Sequence, residues 1–335
     1  MSHLSSTDSK RSILTFLGAG STGRHRFRAF ARTAAWILVR KRAYDIAHIN
    51  LSSRGSCYRK IVLSLILRLA RRPYVIHLHG SEFREFHSSS PRVLQALCKS
   101  MMRHSRKVLV LGSAWRDFVT QELGCNPDAS VILANAVPGP QTIPVRPQVP
   151  TNILFTGRIG KRKGILELLD AVGRLPQSSN WTLALAGDVT EDDIALMLDD
   201  APENVTVLGW LSQDELKDVL HKSSIFVLPS HAEGLPLSLL DAMAWGLAPV
   251  VTAVGSIEDV VVHREDSLIV DVGDVVSICE SLNELILNPA LVEELGSAAR
   301  SKWELGYSIS DYRERLDNVY DLCLEGDQTH DIRSK

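Results

Sequence analysis

The chain has 335 residues, 45% of them hydrophobic, with a mean hydropathy near zero and a formal net charge of −2. That is too long for one comfortable core and fits two domains of about 150 residues each, with the composition of a soluble globular protein. The longest apolar run, 61–67, is far below the ~20 residues of a membrane span, no apolar region follows the polar start 1–11, and the five cysteines (57, 98, 125, 279, 323) contain no C-x-x-C pair. A membrane-embedded chain, a secretory signal and a disulfide framework are therefore not expected. The expected place is a reducing cytoplasm, peripheral on the inner face of a membrane.

The small net charge conceals an asymmetry. Residues 1–150 hold 23 Lys and Arg against 7 Asp and Glu, whereas 151–335 hold 14 against 32. A basic first half and an acidic second half imply different partners for the two domains.

In chain order, residues 12–17 read as a strand that runs into Gly18-Ala-Gly-Ser-Thr-Gly23, formally the G-x-G-x-x-G of a dinucleotide site. A nicotinamide oxidoreductase would rest on this motif alone. It also wants an acid at the carboxyl end of the next strand, and the strand expected at 46–49 ends in Asn50, with Asp45 at its start. A glycine loop here also suits a sugar-nucleotide enzyme, where Gly20 lets a ligand approach the backbone. The rhythm continues as helix 25–41, strand 46–49, helix 58–70, strand 74–78, helix 91–103, strand 108–111, helix 113–122 and strand 131–133. Alternating strands and helices predict a parallel, doubly wound sheet. The stretch Arg59-Lys-Ile-Val-Leu-Ser-Leu-Ile-Leu-Arg-Leu-Ala-Arg-Arg72 mixes cations with apolar residues. Such a helix can lie on an anionic membrane face or take an anionic lipid-linked acceptor, and it can equally be a core helix with charged flanks.

The strand at 74–78 leads into His77-Leu-His-Gly-Ser-Glu82. Alternation places His77 and His79 on one face with His79 at the strand mouth, where an imidazole can donate to a sugar hydroxyl or phosphate. Five prolines at 138, 140, 144, 147 and 150 then predict an interdomain linker over 136–150.

The second domain opens with a strand at 153–156 and the loop Gly157-Arg-Ile-Gly-Lys-Arg-Lys-Gly164, followed by a helix to about 174. Arg158 and Lys163 can both reach one diphosphate at that helix N-terminus, where fixed cations and free N–H groups stabilise a departing nucleoside diphosphate. No D-x-D occurs anywhere in the chain, so a metal clamp of that type has no candidate and no metal is expected. Strand 181–186, helix 191–199 and strand 205–208 lead to Gly209-Trp210. The most informative stretch follows: strand 225–228, the turn Pro229-Ser-His-Ala-Glu-Gly-Leu-Pro236, and a helix from about 236 to 245 that ends at Gly246. Glu233 and Gly234 lie at the carboxyl end of that strand, where open α/β sheets bind ligands, and Asp241 follows eight residues later. Strands 249–252 and 267–270, helices 275–287 and 290–303, a terminal helix at about 309–324 and a disordered tail from Gly326 complete the expectation.

The pattern of Pro-Ser, Glu-Gly, Asp-Ala-Met-Ala-x-Gly and a following Pro-Val-Val strand resembles the E-x7-E signature of retaining family 4 glycosyltransferases, with Asp241 in place of the second Glu. Asp45-Ile-Ala-His-Ile-Asn, Ser-Ser-Arg-Gly-Ser, His-Leu-His-Gly-Ser-Glu-Phe and Ala114-Trp-Arg-Asp-Phe resemble the acceptor-side domain of its polysaccharide enzymes. The resemblance implies two doubly wound Rossmann-like domains facing a cleft (GT-B), the first starting late, without the family's usual extra strand, glycine loop and helix. The domains are expected at 1–135 and 151–308, with a terminal helix at 309–325 crossing back. It further implies a metal-independent hexosyltransferase with no cofactor, taking a UDP- or GDP-sugar and a glycan acceptor that is lipid-linked, in cell-surface polysaccharide synthesis, with no nucleic acid. Glu233 would hold the donor sugar, with His79 on the sugar and acceptor. Arg158 and Lys163 would take the diphosphate, Asp241 the ribose, and Gly157, Gly234 and Leu235 the donor backbone contacts. Trp210 would flank the nucleobase, and Gly20 and Glu82 would lie on the acceptor side. The other reading is a non-catalytic member of this fold that binds nucleotide sugar or a partner enzyme.

Overall fold

The computed structural model describes residues 26–40, 42–146, 150–176 and 180–331, with side chains between 28 and 325. The expected first strand and the glycine run, Gly20 included, lie outside the described residues. Residue contacts divide the chain into two units: one takes in residues up to Ala134 and from Ser310 onward, the other Asn135–Ile309.

The first unit runs α1 (Arg26–Val39), β1 (Ala47–Leu51), α2 (Gly55–Leu69), β2 (Tyr74–Leu78), α3 (Phe83–Ser89), α4 (Arg92–Arg103), β3 (Val108–Val110), α5 (Ser113–Asp117) and β4 (Ser130–Ile132). The four strands form one parallel sheet in the order β1-β2-β3-β4. Every residue of β2 is buried, which is why Tyr74-Val-Ile-His-Leu78 reads as a continuous run and not as an alternation.

The second unit runs β5 (Thr151–Thr156), a 3-10 turn at Lys161–Lys163, α6 (Ile165–Gly173), β6 (Trp181–Ala186), α7 (Asp192–Asp199), β7 (Val205–Gly209), α8 (Gln213–Lys222), β8 (Ile225–Leu228), α9 (Leu237–Ala244), β9 (Ala248–Thr252), β10 (Leu268–Val270), α10 (Val275–Leu287) and α11 (Pro289–Gly306). Its six strands are parallel in the order β10-β9-β8-β5-β6-β7. The chain moves outward from β5 to β7, then returns to the other side of β5 for β8 to β10. The order therefore reverses between β5 and β8, the position at the carboxyl ends of the strands where open α/β sheets form their ligand crevice. The last helix, α12 (Ile309–Asp331), belongs to the first unit from Ser310 onward.

Four features depart from the sequence reading. α3 and α8 were not expected. α8 is started by a capping box in which Ser212 Oγ accepts from the Glu215 N–H while Glu215 accepts from the Ser212 N–H at 2.7 Å. The helix expected over 113–122 is α-helical only to Asp117 and passes into a π turn at Phe118–Glu122. The segment read as a linker is fastened to the second unit as far as it is described. Val137 bridges Ser308, and the Arg146 guanidinium donates to the carbonyls of His221, Leu220, Trp245 and Gly246. The terminal helix continues through Gly326 to Asp331, since one glycine weakens a helix by about 1 kcal/mol without ending it.

Candidate donor site and an imidazole row

The loops after β5 and β8 meet at the point of reversal and are laced together. The His231 N–H donates to the Arg162 carbonyl at 2.9 Å, and Arg162 Nη1 donates to the Ala232 carbonyl at 2.6 Å. Gly164 closes the first loop at φ 70°, and a Cβ there would stand 1.9 Å from the Pro229 carbonyl oxygen, so only glycine lets the two loops approach this closely. The loop after β9 is the third member. Gly255, at φ 64°, leaves room for the Glu233 carbonyl, which a Cβ would meet at 2.1 Å, and the Ser256 N–H donates to Gly234 at 2.8 Å.

This lacing delivers Glu233 into the crevice with its carboxylate already held. Oε1 accepts from Lys163 Nζ at 2.5 Å and from Ser230 Oγ at 2.7 Å. The Lys163 and Glu233 side chains are only 12% and 7% exposed, so this is a partly desolvated ion pair and not a surface one. Ser230 is fully buried, and its carbonyl accepts from Thr252 Oγ1 at 2.6 Å, which fixes the serine from the β9 side. Ser230 and Thr252 are contributors that the motif alone did not assign. The Pro-Ser dipeptide ahead of Glu233 was the available signal.

Arg158 is exposed in the loop after β5, and among the described residues its side chain makes no hydrogen bond or ion pair. Gly157 opens that loop at φ 142°. Gly164 before α6 and Pro236 before α9 provide no side-chain cap, so the first-turn N–H groups of both helices lack the usual side-chain acceptor. Leu235 is buried and its carbonyl accepts from Asn135 Nδ2 at 2.7 Å, so its side chain and carbonyl are committed to the fold. Asp241 lies in α9 and keeps a solvent-facing edge, yet burial pushes its carboxyl up to about 7. Among the described residues its carboxylate makes no hydrogen bond or ion pair. Trp210 is 75% exposed just beyond β7, which excludes a core role and leaves an open indole face.

In the first unit, His79 stands at the mouth of β2. Its Nε2 shares a hydrogen bond with Asn50 Oδ1 at 3.0 Å, and its ring lies 3.9 Å from that of His77. His48 extends the row: its ring centroid is 5.4 Å from His77, and its Nδ1 is 2.8 Å from the Tyr320 hydroxyl on α12. Burial is the main cause that lowers His48 to about 4 and His77 well below its ordinary value, with His79 pushing both in the same direction. Both imidazoles are therefore neutral at pH 7. Glu82 is partly exposed at the start of α3, 3.9 Å from Arg54.

The chain matches the glycosyl transferases group 1 family over residues 143–302 and the glycosyl transferase 4-like domain over 12–136. It belongs to the group 1 glycosyltransferases, and its two parallel α/β units are those of the GT-B fold. Over 314 residues it is 23% identical to an Escherichia coli UDP-Gal:alpha-D-GlcNAc-diphosphoundecaprenol alpha-1,3-galactosyltransferase, covering 86% of this chain and 77% of that protein. Against a Mycobacterium tuberculosis glycogen synthase the identity is 24% over 246 residues, covering 71% of this chain but 59% of that enzyme, so the match spans less than two thirds of this relative. Anabaena Alr3699/HepE, solved in complex with UDP, superposes with a TM-score of 0.73 at 16% identity over 88% of this chain and 82% of that one.

Proposed function

We propose that the protein is a retaining glycosyltransferase that moves a hexose from a UDP- or GDP-sugar to a glycan acceptor, lipid-linked and assembled into cell-surface polysaccharide at the inner face of a membrane. The observation that carries this reading is the Glu233 carboxylate at the β5/β8 reversal, held by Ser230 and by Lys163 of the loop that also carries Arg158. A nucleotide diphosphate placed there takes Arg158, Lys163 and helix N–H groups as fixed positive partners for the charge that develops as it departs. These cations do the work a metal would otherwise do. The Glu233 carboxylate accepts from donor-sugar hydroxyls, Asp241 from the ribose, and the Trp210 face stacks on the base. His79, hydrogen-bonded to Asn50 with its ring against that of His77, serves sugar and acceptor hydroxyls as a hydrogen-bond partner. The leaving phosphate deprotonates the acceptor, so no side-chain base is required. The diphosphoundecaprenol-linked substrate in the name of the Escherichia coli relative supports a lipid-linked acceptor, and the basic first half of the chain suits an anionic one. The family match over 12–136 takes the glycine run at 18–23 with it, and an oxidoreductase reading has nothing else to rest on.

The test is hydrolysis and transfer across a panel of UDP- and GDP-sugars, with Glu233→Ala and Lys163→Ala as controls. Slow hydrolysis of one donor, lost in both variants, is the expected result. Donor binding without turnover, even with membrane extract supplied as acceptor, would replace this proposal with a non-catalytic, nucleotide-sugar-binding role.

A further inference from the structure

α2 buries Cys57, Ile61, Leu63, Ser64 and Leu67, yet its opposite side is also apolar. Tyr58, Val62, Leu65 and Leu69 are between 41% and 83% exposed, and their spacing of four, three and four residues puts them in one line about 16 Å long. A soluble helix normally turns charged residues outward at these positions. α4 repeats the arrangement with exposed Val93 and Leu97, followed on the same line by Ser100 and His104. The two lines share one outer surface. Arg68, which borders the α2 line on its α4 side, donates to Ser100 Oγ at 3.3 Å and meets His104 Nε2 at 3.2 Å.

The charge around this apolar surface has one sign. Residues 46–81 contain six Lys and Arg and no acid, and 86–116 contain six more and no acid. Arg54, Arg68, Arg71, Arg92 and Arg103 are all exposed. The neighbouring carboxylates are on the α3 side, where Glu82 meets Arg54 and Glu85 begins the helix. A second copy of this chain makes a poor occupant, because a two-fold contact would set these cations against themselves. An anionic bilayer satisfies both parts, taking the apolar line into the headgroup boundary and the arginines onto lipid phosphates.

We propose that the α2–α4 face, centred on Tyr58, Val62, Leu65 and Leu69, docks the protein peripherally on an anionic phospholipid surface. This deepens the membrane-side part of the proposed function and does not depend on the donor chemistry. In vesicle sedimentation, the full chain is expected to bind phosphatidylglycerol-containing vesicles at low salt, to be released as salt rises, and to ignore vesicles of phosphatidylcholine alone. Leu65→Ser/Leu69→Ser should weaken binding about tenfold, and so should Arg68→Gln/Arg71→Gln, with UDP binding by the second unit unchanged in each. The two variants remove different chemistry from exposed positions, so a folding failure in one leaves the other to decide. Lys163→Ala should lose donor hydrolysis and keep vesicle binding, which separates failure of this proposal from failure of the enzyme reading. Absence of vesicle binding, binding indifferent to lipid charge, or binding unchanged in both variants would overturn it. A lipid-free dimer that Leu65→Ser/Leu69→Ser dissociates would also overturn it and make the face a contact between copies.

Discussion

Lys163 Nζ on Glu233 Oε1 makes the cation proposed for the diphosphate and the carboxylate proposed for the sugar one unit before any donor is considered. A diphosphate recruiting Lys163 competes with Glu233 for the same ammonium. Glu233→Gln removes the competitor and a negative charge near the phosphates, so UDP alone should bind at least about threefold more tightly while sugar transfer falls by about a hundredfold or more. Calorimetric titration with UDP decides this, and weaker UDP binding in the variant would show that the pair assists phosphate binding instead. Asp241 gives the second residue-scale prediction. Its folded carboxyl is raised from 3.8 to about 7, so the folded protein takes up this proton first as pH falls. Stability from this group must then decrease as pH rises from about 4 to about 7 and stay level above, by at most about 4 kcal/mol and less because one edge meets solvent. Denaturant midpoints of the second unit's transition against pH should show that slope in the wild type and lose it in Asp241→Asn. Arg158, Lys163 and Glu233 were legible as candidates because their motifs are local. The bond between Lys163 and Glu233 was not, since it joins positions 70 apart through a strand order that no local pattern displays.

β1, β2 and α12 together hold the row of imidazoles, and its acid response is a property of the elements that enclose it. His48 is lowered from 6.5 to about 4 in the folded chain, so the unfolded chain protonates first. The contribution is fully present above about 6.5 and is lost as pH falls towards 4, amounting to about 3 kcal/mol for His48, with His77 adding in the same direction. The unfolding temperature of the first unit should therefore drop across that window, and His48→Asn should reduce the drop; an unchanged profile would mean that the row admits water. The same enclosure explains what the sequence showed at this scale. β2 and β8 were readable to the residue because buried parallel strands are continuous apolar runs ended by turn residues. α3 is only seven residues long and too short for a periodic signal, whereas α8 carried a readable S-x-x-E box that its charged, weakly apolar sequence obscured. The proline-rich stretch after Asn135 has loop composition, and only long-range contacts, such as the Val137–Ser308 bridge and the Arg146 bonds to four distant carbonyls, reveal that it belongs to the second unit.

At the scale of the whole chain, the two units are not two halves of the sequence, because α12 completes the first from the far end. Tyr312, Leu316, Val319, Tyr320 and Cys323 are buried along one side of that helix, and Tyr320 meets His48 on β1. Burial of five such side chains contributes on the order of 10 kcal/mol, comparable with the entire stability of a typical domain. A chain ending at Ile309 should therefore lose the first unit's cooperative transition while the second unit, whose strands, loops and Lys163–Glu233 pair all fall within Asn135–Ile309, keeps its own. Calorimetry of the full chain should show two transitions and the truncated chain one, with UDP still raising the surviving transition through binding to the folded state. If truncation removed both transitions and UDP binding together, the second unit would depend on the first for its fold. The proposed donor site would then be a property of the whole molecule and not of the six-stranded sheet that carries Lys163 and Glu233.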